Sequence, residues 1–183
     1  PLTLPTKLEL NAPIRMSRAE YAVARSHINI WEQVLHGKHE YVLILEDDVW
    51  FHSDFARYLD KAWNEIVSKS EIKGSFDVLY LSYQEVKHGA PKTILSKHLF
   101  RPKRGLWYLS GYVLSRAGAE KLIHQLPCRG PVDLWINHQY EVLDVLATKQ
   151  SIISQRRDIS SSNSYSILSS LTKIGAINSE GAS

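Results

Sequence analysis

Apolar residues recur with helical spacing in the segment "MSRAEYAVARSHINIWEQVLHG". The positions that share one face at a period of 3.6 residues are Val23, His27, Ile30, Trp31 and Val34. Ser17 and Glu20 have the spacing of a capping box, and Gly37 is a typical helix stop. The pattern therefore predicts a helix, with His27 placed on an otherwise apolar stripe.

A different hydrophobic pattern follows in "YVLILEDDVWF", where five residues without polar alternation are followed by three acids. A continuous apolar run of this length predicts a strand that is covered on both faces. After it, Ser53 is expected to cap a second helix. The apolar stripe of that helix comprises Phe55, Leu59, Ala62, Trp63 and Ile66.

The rest of the chain continues to alternate between the two patterns. "FDVLYLS" and "LWYLSGYVLS" predict strands, and the polar stretch between them, which carries Pro and Gly, predicts a loop with one short strand. "RAGAEKLIHQL" predicts a helix capped by Ser115, and "GPVDLWINHQY" a turn that becomes helical. "VLDVLAT" and "SIISQ" are short strand candidates. This alternation predicts an α/β fold with a mixed sheet flanked by helices.

The composition limits the number of domains and the classes of partner. A chain of 183 residues that is 44% hydrophobic is enough for one domain with its own core. We assign residues 1–158 to that domain and residues 159–183, rich in Ser and Asn, to a weakly ordered tail. The net charge is only +3 and the basic residues form no stripe, which argues against nucleic acid as a partner.

Two further features bear on the compartment. Cys128 is the only cysteine, so the chain cannot form an internal disulfide, and no secretory signal precedes the domain. No apolar run reaches the ~20 residues that a membrane helix needs. We expect a cytoplasmic protein with peripheral association at the inner membrane, and a lumenal domain of a eukaryotic protein is the alternative.

The acids Glu46, Asp47 and Asp48 stand where ligands bind in open α/β sheets, beyond the carboxyl end of a strand. Carboxylates this close repel one another unless one is protonated or a cation neutralises them. Mg²⁺ and Mn²⁺ prefer oxygen ligands and often bridge a carboxylate to a phosphate. One interpretation is therefore a metal site for a phosphorylated ligand, and the other is a solvated acidic turn.

Five segments occur in the order seen in glycosyltransferase family 25. They are "MSRAEYAVARSHINIW", "YVLILEDDVWFHSDF", "FDVLYLS", "YLSGYVLSRAGAEKLI" and "PVDLW". The resemblance spans about Met16 to Asn163. That family includes bacterial lipopolysaccharide-type galactosyl- and glucosyltransferases and the collagen galactosyltransferases. The resemblance implies a GT-A-like fold and transfer of a hexose, galactose or glucose, from a UDP-sugar donor to a hydroxyl of a glycan or glycoconjugate acceptor.

The resemblance also implies roles for individual residues. Asp48 would ligate Mn²⁺ or Mg²⁺ as part of a variant DxD motif, with Glu46 as a second ligand. The donor-binding residues would be Ser26, His27, Glu46, Asp47, Gly111 and Tyr112. Asp133 would be the catalytic base on the acceptor side, since a base must be a carboxylate or His within reach of the acceptor hydroxyl. From the residues alone, a helix cap is the favoured interpretation of Asp133, since Asp is common at that position.

The chain departs from the family pattern in two places. It has "AEYAVARSH" where members usually show "GEIGCALSH", and it lacks the recognisable first strand with an Asn-Leu and Asp-Arg pattern. We therefore expect a GT-A-like domain short of its N-terminal strand, with weak donor binding. The alternative functions are a truncated or non-catalytic binding module and a metal-dependent phosphoesterase, for which Asp133 and His138 would be the further ligands.

Overall fold

Helices and strands alternate through residues 16–72, 75–86 and 89–156, the part of the chain that the computed structural model describes. The helices are α1 (Arg18–His36), α2 (Phe55–Ser68), α3 (Arg116–His124) and α4 (Val132–Asn137), with a 3₁₀ turn at Ser70–Ile72. The strands are β1 (Tyr41–Leu45), β2 (Val49–Phe51), β3 (Val78–Tyr80), β4 (Gln84–Glu85), β5 (Lys92–Ile94), β6 (Leu99–Pro102), β7 (Leu106–Trp107), β8 (Gly111–Ser115), β9 (Val145–Thr148) and β10 (Ile153–Gln155).

Six strands form one mixed sheet in the order β1-β8-β3-β9-β6-β5. Strand β8 runs antiparallel to both β1 and β3, and β3 runs parallel to β9. Strands β1, β3 and β9 therefore point the same way, and their carboxyl ends meet at one edge of the sheet. Two small ribbons, β2 with β10 and β4 with β7, lie outside this sheet.

The sheet is the middle of three layers. Alternate residues of β3 enter different cores: Val78 and Tyr80 pack with α1, α3 and α4, whereas Leu79 packs with α2. This alternation follows from the two-residue period of a strand. The structure thus confirms a mixed α/β fold with helices flanking a mixed sheet.

The capping signals of the sequence are confirmed for α1 and α3. The Ser17 hydroxyl accepts a hydrogen bond from the Glu20 amide at 3.1 Å, and the Glu20 carboxylate accepts one from the Ser17 amide at 2.7 Å. Gly37 follows the last helical residue of α1. The Ser115 hydroxyl accepts from the Gly118 amide at 2.9 Å. Local hydrogen-bond chemistry therefore sets these helix starts.

Two local predictions are wrong. The residue before α2 is Asp54, not Ser53, and it makes no capping hydrogen bond because its carboxylate pairs with Arg57 at 2.8 Å. Strand β1 is not covered on both faces, since Leu43 and Leu45 are 40% and 37% exposed. The reason is its place at the end of the described sheet, where α2 covers only the beginning of the strand, around Tyr41.

The polar stretch predicted as a loop contains more order than its composition suggests. It holds β4, β5 and β6, and β6 joins the main sheet beside β9. These strands are short, so their stability depends on neighbours that are remote in sequence. The predicted tail, residues 159–183, lies outside the described residues. Within the described part of the chain, no helix combines the length and the apolarity required to cross a membrane.

A partly buried acid–histidine contact anchors α2 to the sheet and leads to a stability prediction. The Glu65 carboxylate accepts hydrogen bonds from the Ser96 hydroxyl and from the His98 amide, and it lies 2.9 Å from His98 Nδ1. Burial alone would raise the pKa of Glu65, but the contacts with Ser96 and His98 lower it below its ordinary 4.5. The ionised carboxylate therefore stabilises the fold.

Glu65→Gln is expected to reduce the free energy of unfolding by about 1–3 kcal/mol at neutral pH, since it leaves the partly buried donors of Ser96 and His98 poorly paired. Because the folded-state pKa is lowered, this contribution is present above the ordinary pKa and is lost as the pH falls through the folded-state value. Urea unfolding at pH 7 and at pH 3 measures the difference. Glu32→Gln, at an exposed position of α1, is the control, and an equal effect of both variants would contradict the prediction.

Candidate functional site

The three acids lie at the sheet edge where β1 ends and β8 begins. Leu45 pairs with Gly111, and the Glu46 amide donates a hydrogen bond to the Ser110 carbonyl at 2.9 Å. The chain then turns into β2, which pairs with β10 so that Val49 lies opposite Gln155. This ribbon brings the end of the described chain alongside the acids.

Glu46 is braced by contacts on both of its carboxylate oxygens. The Gln155 side-chain amide donates to Oε2 at 3.0 Å, and His27 Nε2 faces Oε1 at 3.5 Å. Burial alone would raise the pKa of Glu46, but the interactions with His27 and Gln155 outweigh it and lower the pKa. Glu46 is therefore an ionised carboxylate in a defined orientation.

The orientation of His27 follows from a buried hydrogen-bond network. Trp31 Nε1 donates to the Tyr112 hydroxyl at 2.8 Å, and His27 Nδ1 lies 2.9 Å from the same hydroxyl. An indole nitrogen only donates, so the hydroxyl proton of Tyr112 is left to bond Nδ1 of His27. This hydrogen bond leaves Nε2 of His27 to carry a ring proton, directed at Glu46.

Tyr112 is the centre of this network and is fully buried. Burial raises the pKa of its phenol well above the ordinary value, so the hydroxyl stays protonated. Its side chain therefore reaches the acids through His27 rather than directly.

Tyr112→Phe is expected to lower the free energy of unfolding by about 1–3 kcal/mol, because it leaves buried Trp31 and His27 nitrogens without a partner. It should also remove the constraint on the tautomer of His27. The ¹⁵N chemical shifts of the imidazole measure which ring nitrogen carries the proton. Tyr21→Phe, at a position that is 60% exposed on α1, should change neither property. An unchanged Nε2–H tautomer in the Tyr112 variant would contradict the network.

Asp48 differs from Glu46 in having an open oxygen. Its Oδ1 is buried and has no hydrogen-bond partner among the described residues, whereas its backbone carbonyl accepts from the Arg156 amide at 2.7 Å. Burial, followed by the negative charges of Glu46 and Asp47, raises the pKa of Asp48. A buried acceptor without a donor is rare in folded proteins, and it points to a group that binds there.

The chemistry of these acids fits a divalent cation. Mg²⁺ and Mn²⁺ are commonly held by one or two carboxylates together with phosphate oxygens of the substrate. Oδ1 of Asp48 is the open ligand, Glu46 is adjacent, and Asp47 is exposed to solvent. Across the residues that the structure describes, no three His, Cys, Asp or Glu side chains converge to form a complete metal site. The set therefore suits an ion that is shared with a phosphorylated ligand.

Asp133 lies in α4 and is only 8% exposed. Its Oδ1 accepts from the Leu134 amide at 3.0 Å and its Oδ2 from the Tyr108 amide at 3.3 Å. The residue before the helix is Pro131, so the alternative interpretation of Asp133 as the helix cap is wrong. Burial raises the pKa of Asp133, although the hydrogen bonds from these two amides lower it, and the charge of Glu46 adds to the rise. The pKa of Asp133 therefore depends in part on the charge of Glu46.

The loop that faces Asp133 is held in a strained conformation. Tyr108 has a φ of 68°, which is uncommon for a residue with a side chain and costs on the order of 1–3 kcal/mol. Buried Asn137 locks the preceding segment, since its Oδ1 accepts from the Gly105 amide at 2.8 Å and its Nδ2 donates to the Leu106 carbonyl at 2.6 Å. Such strain is maintained only where the surroundings impose it, often at functional sites.

The remaining predicted residues have different surroundings. Ser26 is exposed on α1. A Cβ at Gly111 would lie 2.6 Å from Cδ1 of Ile153, so the close packing of β10 on β8 explains this glycine without a ligand. His138 is half-buried after α4, and burial, with the charge of Arg104, lowers its pKa. Donor binding by Ser26 and Gly111 remains a prediction.

Three residues of the site were not identified from the sequence: Trp31, Asn137 and Gln155. The sequence pattern places Trp31 only on the apolar stripe of α1. Gln155 stands 109 positions after Glu46, and only the pairing of β2 with β10 brings them together.

Comparisons with known proteins agree with the resemblance. The model of the family described as "Glycosyltransferase family 25 (LPS biosynthesis protein)" matches residues 6–136. This match includes His27, Glu46, Asp48 and Asp133.

Individual relatives are similar over part of their length. A glycosyltransferase 25 family member of Anopheles gambiae is 32% identical over 124 residues, 66% of this chain. A probable inactive glycosyltransferase 25 family member 3 of Bos taurus is 33% identical over 64% of the chain. Procollagen galactosyltransferase 2 of Mus musculus is 27% identical over 74% of it. The chain spans about a fifth of the length of these curated relatives, 20%, 20% and 22% respectively.

Proposed function

The chain belongs to glycosyltransferase family 25. From this premise we propose that it is a GT-A-like, metal-dependent domain. It would move a hexose from a UDP-sugar to a hydroxyl of a glycan or glycoconjugate. One observation carries the proposal. At the carboxyl end of β1, Glu46 is braced by protein donors while the neighbouring Asp48 presents a buried oxygen without a partner. That difference suits a braced carboxylate in a fixed orientation beside an open carboxylate that can bind a cation.

The donor diphosphate would bind beside these acids. Asp48 would hold Mn²⁺ or Mg²⁺ through Oδ1, with Glu46 as the second carboxylate, and phosphate oxygens would complete the set. When bound, the ion neutralises the charge that develops on the departing diphosphate. His27 and Gln155 keep Glu46 ionised and oriented, and Tyr112 and Trp31 act as positioning residues for His27.

Asp133 would act as the base on the acceptor. As the acceptor oxygen bonds to the anomeric carbon, the bond from that carbon to the diphosphate breaks, and the hydroxyl proton passes to the Asp133 carboxylate. The amides of Tyr108 and Leu134 orient this carboxylate, and burial raises its pKa, which makes it a better proton acceptor. The charge of Glu46 contributes to this rise in pKa, which supports a donor and an acceptor that bind near each other.

Calorimetric titration with UDP tests the proposal directly. Binding to the chain is expected in the presence of Mn²⁺ and should be lost when EDTA removes the ion. Equal affinity with and without the ion would argue against a metal-held diphosphate. Titration with ADP in place of UDP tests whether the site recognises the uracil base. A site for the diphosphate alone would bind both nucleotides equally.

A non-catalytic role is the second candidate, and the names of several relatives favour it. One relative from Homo sapiens, 31% identical over 64% of the chain, is named an inactive family member. If this chain shares that character, it would keep the sheet and the braced Glu46 while failing to bind UDP with Mn²⁺. The same titration therefore distinguishes the two functions.

A further inference from the structure

A cavity of about 180 Å³ opens beside the first turns of α2, outside the site described above. It is smaller than the ~300–1,000 Å³ typical of sites for whole drug-sized ligands. At about 30 Å³ per water, it has room for a few waters or for one substituent of a larger ligand. Its size therefore suits a single functional group.

Basic side chains dominate the lining of this cavity. Arg57 and Lys61 line it from successive turns of α2, and residues four apart lie on the same face of a helix. His52 and His98 line it as well, and Asp54 is its acid. Asp54 already pairs with Arg57 at 2.8 Å, through one terminal nitrogen of a guanidinium that has five donors. Lys61 forms no ion pair with any described residue, so cationic donors are left for a ligand.

Each of the two histidines is held by one polar contact and one aromatic contact. His98 Nδ1 lies 2.9 Å from the Glu65 carboxylate, and the ring of Tyr58 packs edge-on against the imidazole at 4.9 Å. His52 Nε2 lies 2.9 Å from the Ser154 hydroxyl, and Trp50 stacks on the His52 ring at 5.0 Å. These contacts orient the partly buried His98 ring and the exposed His52 ring. Trp50, which is 51% exposed, reports on the state of one of them.

The cavity is near the acids but cannot share their ion. Strand β2 separates Asp48 from His52, and none of the three acids is among the residues that line the cavity. Metal–oxygen bonds are only ~2 Å long, so a group in the cavity is not a ligand of an ion at Asp48. A longer ligand is needed to occupy both places.

We propose that this cavity binds an anionic group, a carboxylate or a phosphate, carried by the acceptor saccharide of the proposed transfer reaction. The inference rests on the proposed function for the identity of the ligand, and on Arg57 and Lys61 for its charge. Arginine and lysine are the usual partners of both oxyanions. The enzyme would then prefer acidic glycans over neutral ones.

Titration of the full chain by ¹H–¹⁵N NMR, with Trp fluorescence as a second readout, tests the cavity without any transfer assay. The probes are methyl glucuronide, glucose 6-phosphate, inorganic phosphate and the neutral methyl glucoside. We expect the two acidic sugars to bind and to shift signals of His52 and Lys61. Lys61→Met should weaken this binding by up to about fivefold, and Lys61→Met with Arg57→Gln by more. Lys38→Met, an exposed charge outside the cavity, should leave it unchanged.

Three results would overturn the inference. They are equal binding of methyl glucoside, equal effects of the Lys61 and Lys38 variants, and inorganic phosphate binding as tightly as glucose 6-phosphate. The outcome is separable from that of the proposed function. A chain that binds UDP with Mn²⁺ but no acidic sugar refutes only this cavity. A chain that binds the acidic sugars but no UDP refutes the donor site and leaves an anion site that is not part of a transferase.

Discussion

Asp133→Asn is expected to reduce sugar transfer by about 10²–10⁴-fold while donor binding persists, because a general base contributes that much to the rate. The substitution keeps the size of the side chain and one acceptor oxygen for the Leu134 amide. It removes the carboxylate that would accept the proton. Transfer from a UDP-hexose, measured in a longer protein that includes this domain, gives kcat and KM for wild type and variant.

The effect on the fold must be separated from the effect on chemistry. The second oxygen of Asp133 accepts a hydrogen bond from the Tyr108 amide. In the Asn variant the side-chain NH₂ group would stand there, so two donors would face each other. We therefore measure unfolding of both proteins alongside transfer. Asp60→Asn, at an exposed position of α2, is the matched control. Normal transfer by a folded Asp133 variant would leave this residue with a structural role only.

Asp48→Asn should abolish the Mn²⁺-dependent binding of UDP, the second large effect. An amide oxygen carries no charge, and hard divalent cations select carboxylates and phosphates. Asp60→Asn, an exposed acid of α2 outside the site, is the charge-matched control, and it should retain binding. Calorimetry with UDP and Mn²⁺ compares the three proteins. Equal binding by the Asp48 variant would remove this residue from the metal site.

The same Asp48 variant should be more stable than wild type in metal-free buffer. Burial and the charges of Glu46 and Asp47 raise the folded-state pKa of Asp48 above its ordinary 3.8, so the ionised carboxylate is less favourable in the fold than in the unfolded chain. The gain is present at neutral pH and disappears as the pH falls through the raised pKa towards 3.8. Thermal unfolding at pH 7 and pH 3.5 measures this.

The three adjacent acids illustrate how one motif divides into separate roles. Glu46 meets His27 and Gln155, Asp47 faces solvent, and Asp48 keeps a buried oxygen open. The sequence distinguishes none of these, since all three side chains are carboxylates in a single turn. The division arises because the three side chains leave this turn in different directions and meet different neighbours.

The boundaries of α1 and α3 were predictable because caps are local interactions, between residues three apart. The capping box of Ser17 with Glu20 and the cap at Ser115 are both present. The helix stripes were predictable for a similar reason, since burial follows a period that the residues display. The family, too, was visible in the order of short motifs, and the family match confirms it.

What the sequence alone determined is therefore the set of main elements, the family, and the position of the acids at a strand end. Only the tertiary structure decided which acid is braced and which is open, because the braces are His27 and Gln155, 19 and 109 positions from Glu46. It also decided that Leu43 and Leu45 are exposed and that the polar stretch before β7 enters the sheet. These features depend on pairings between remote segments, whose energies come from packing and hydrogen bonds that no local pattern encodes.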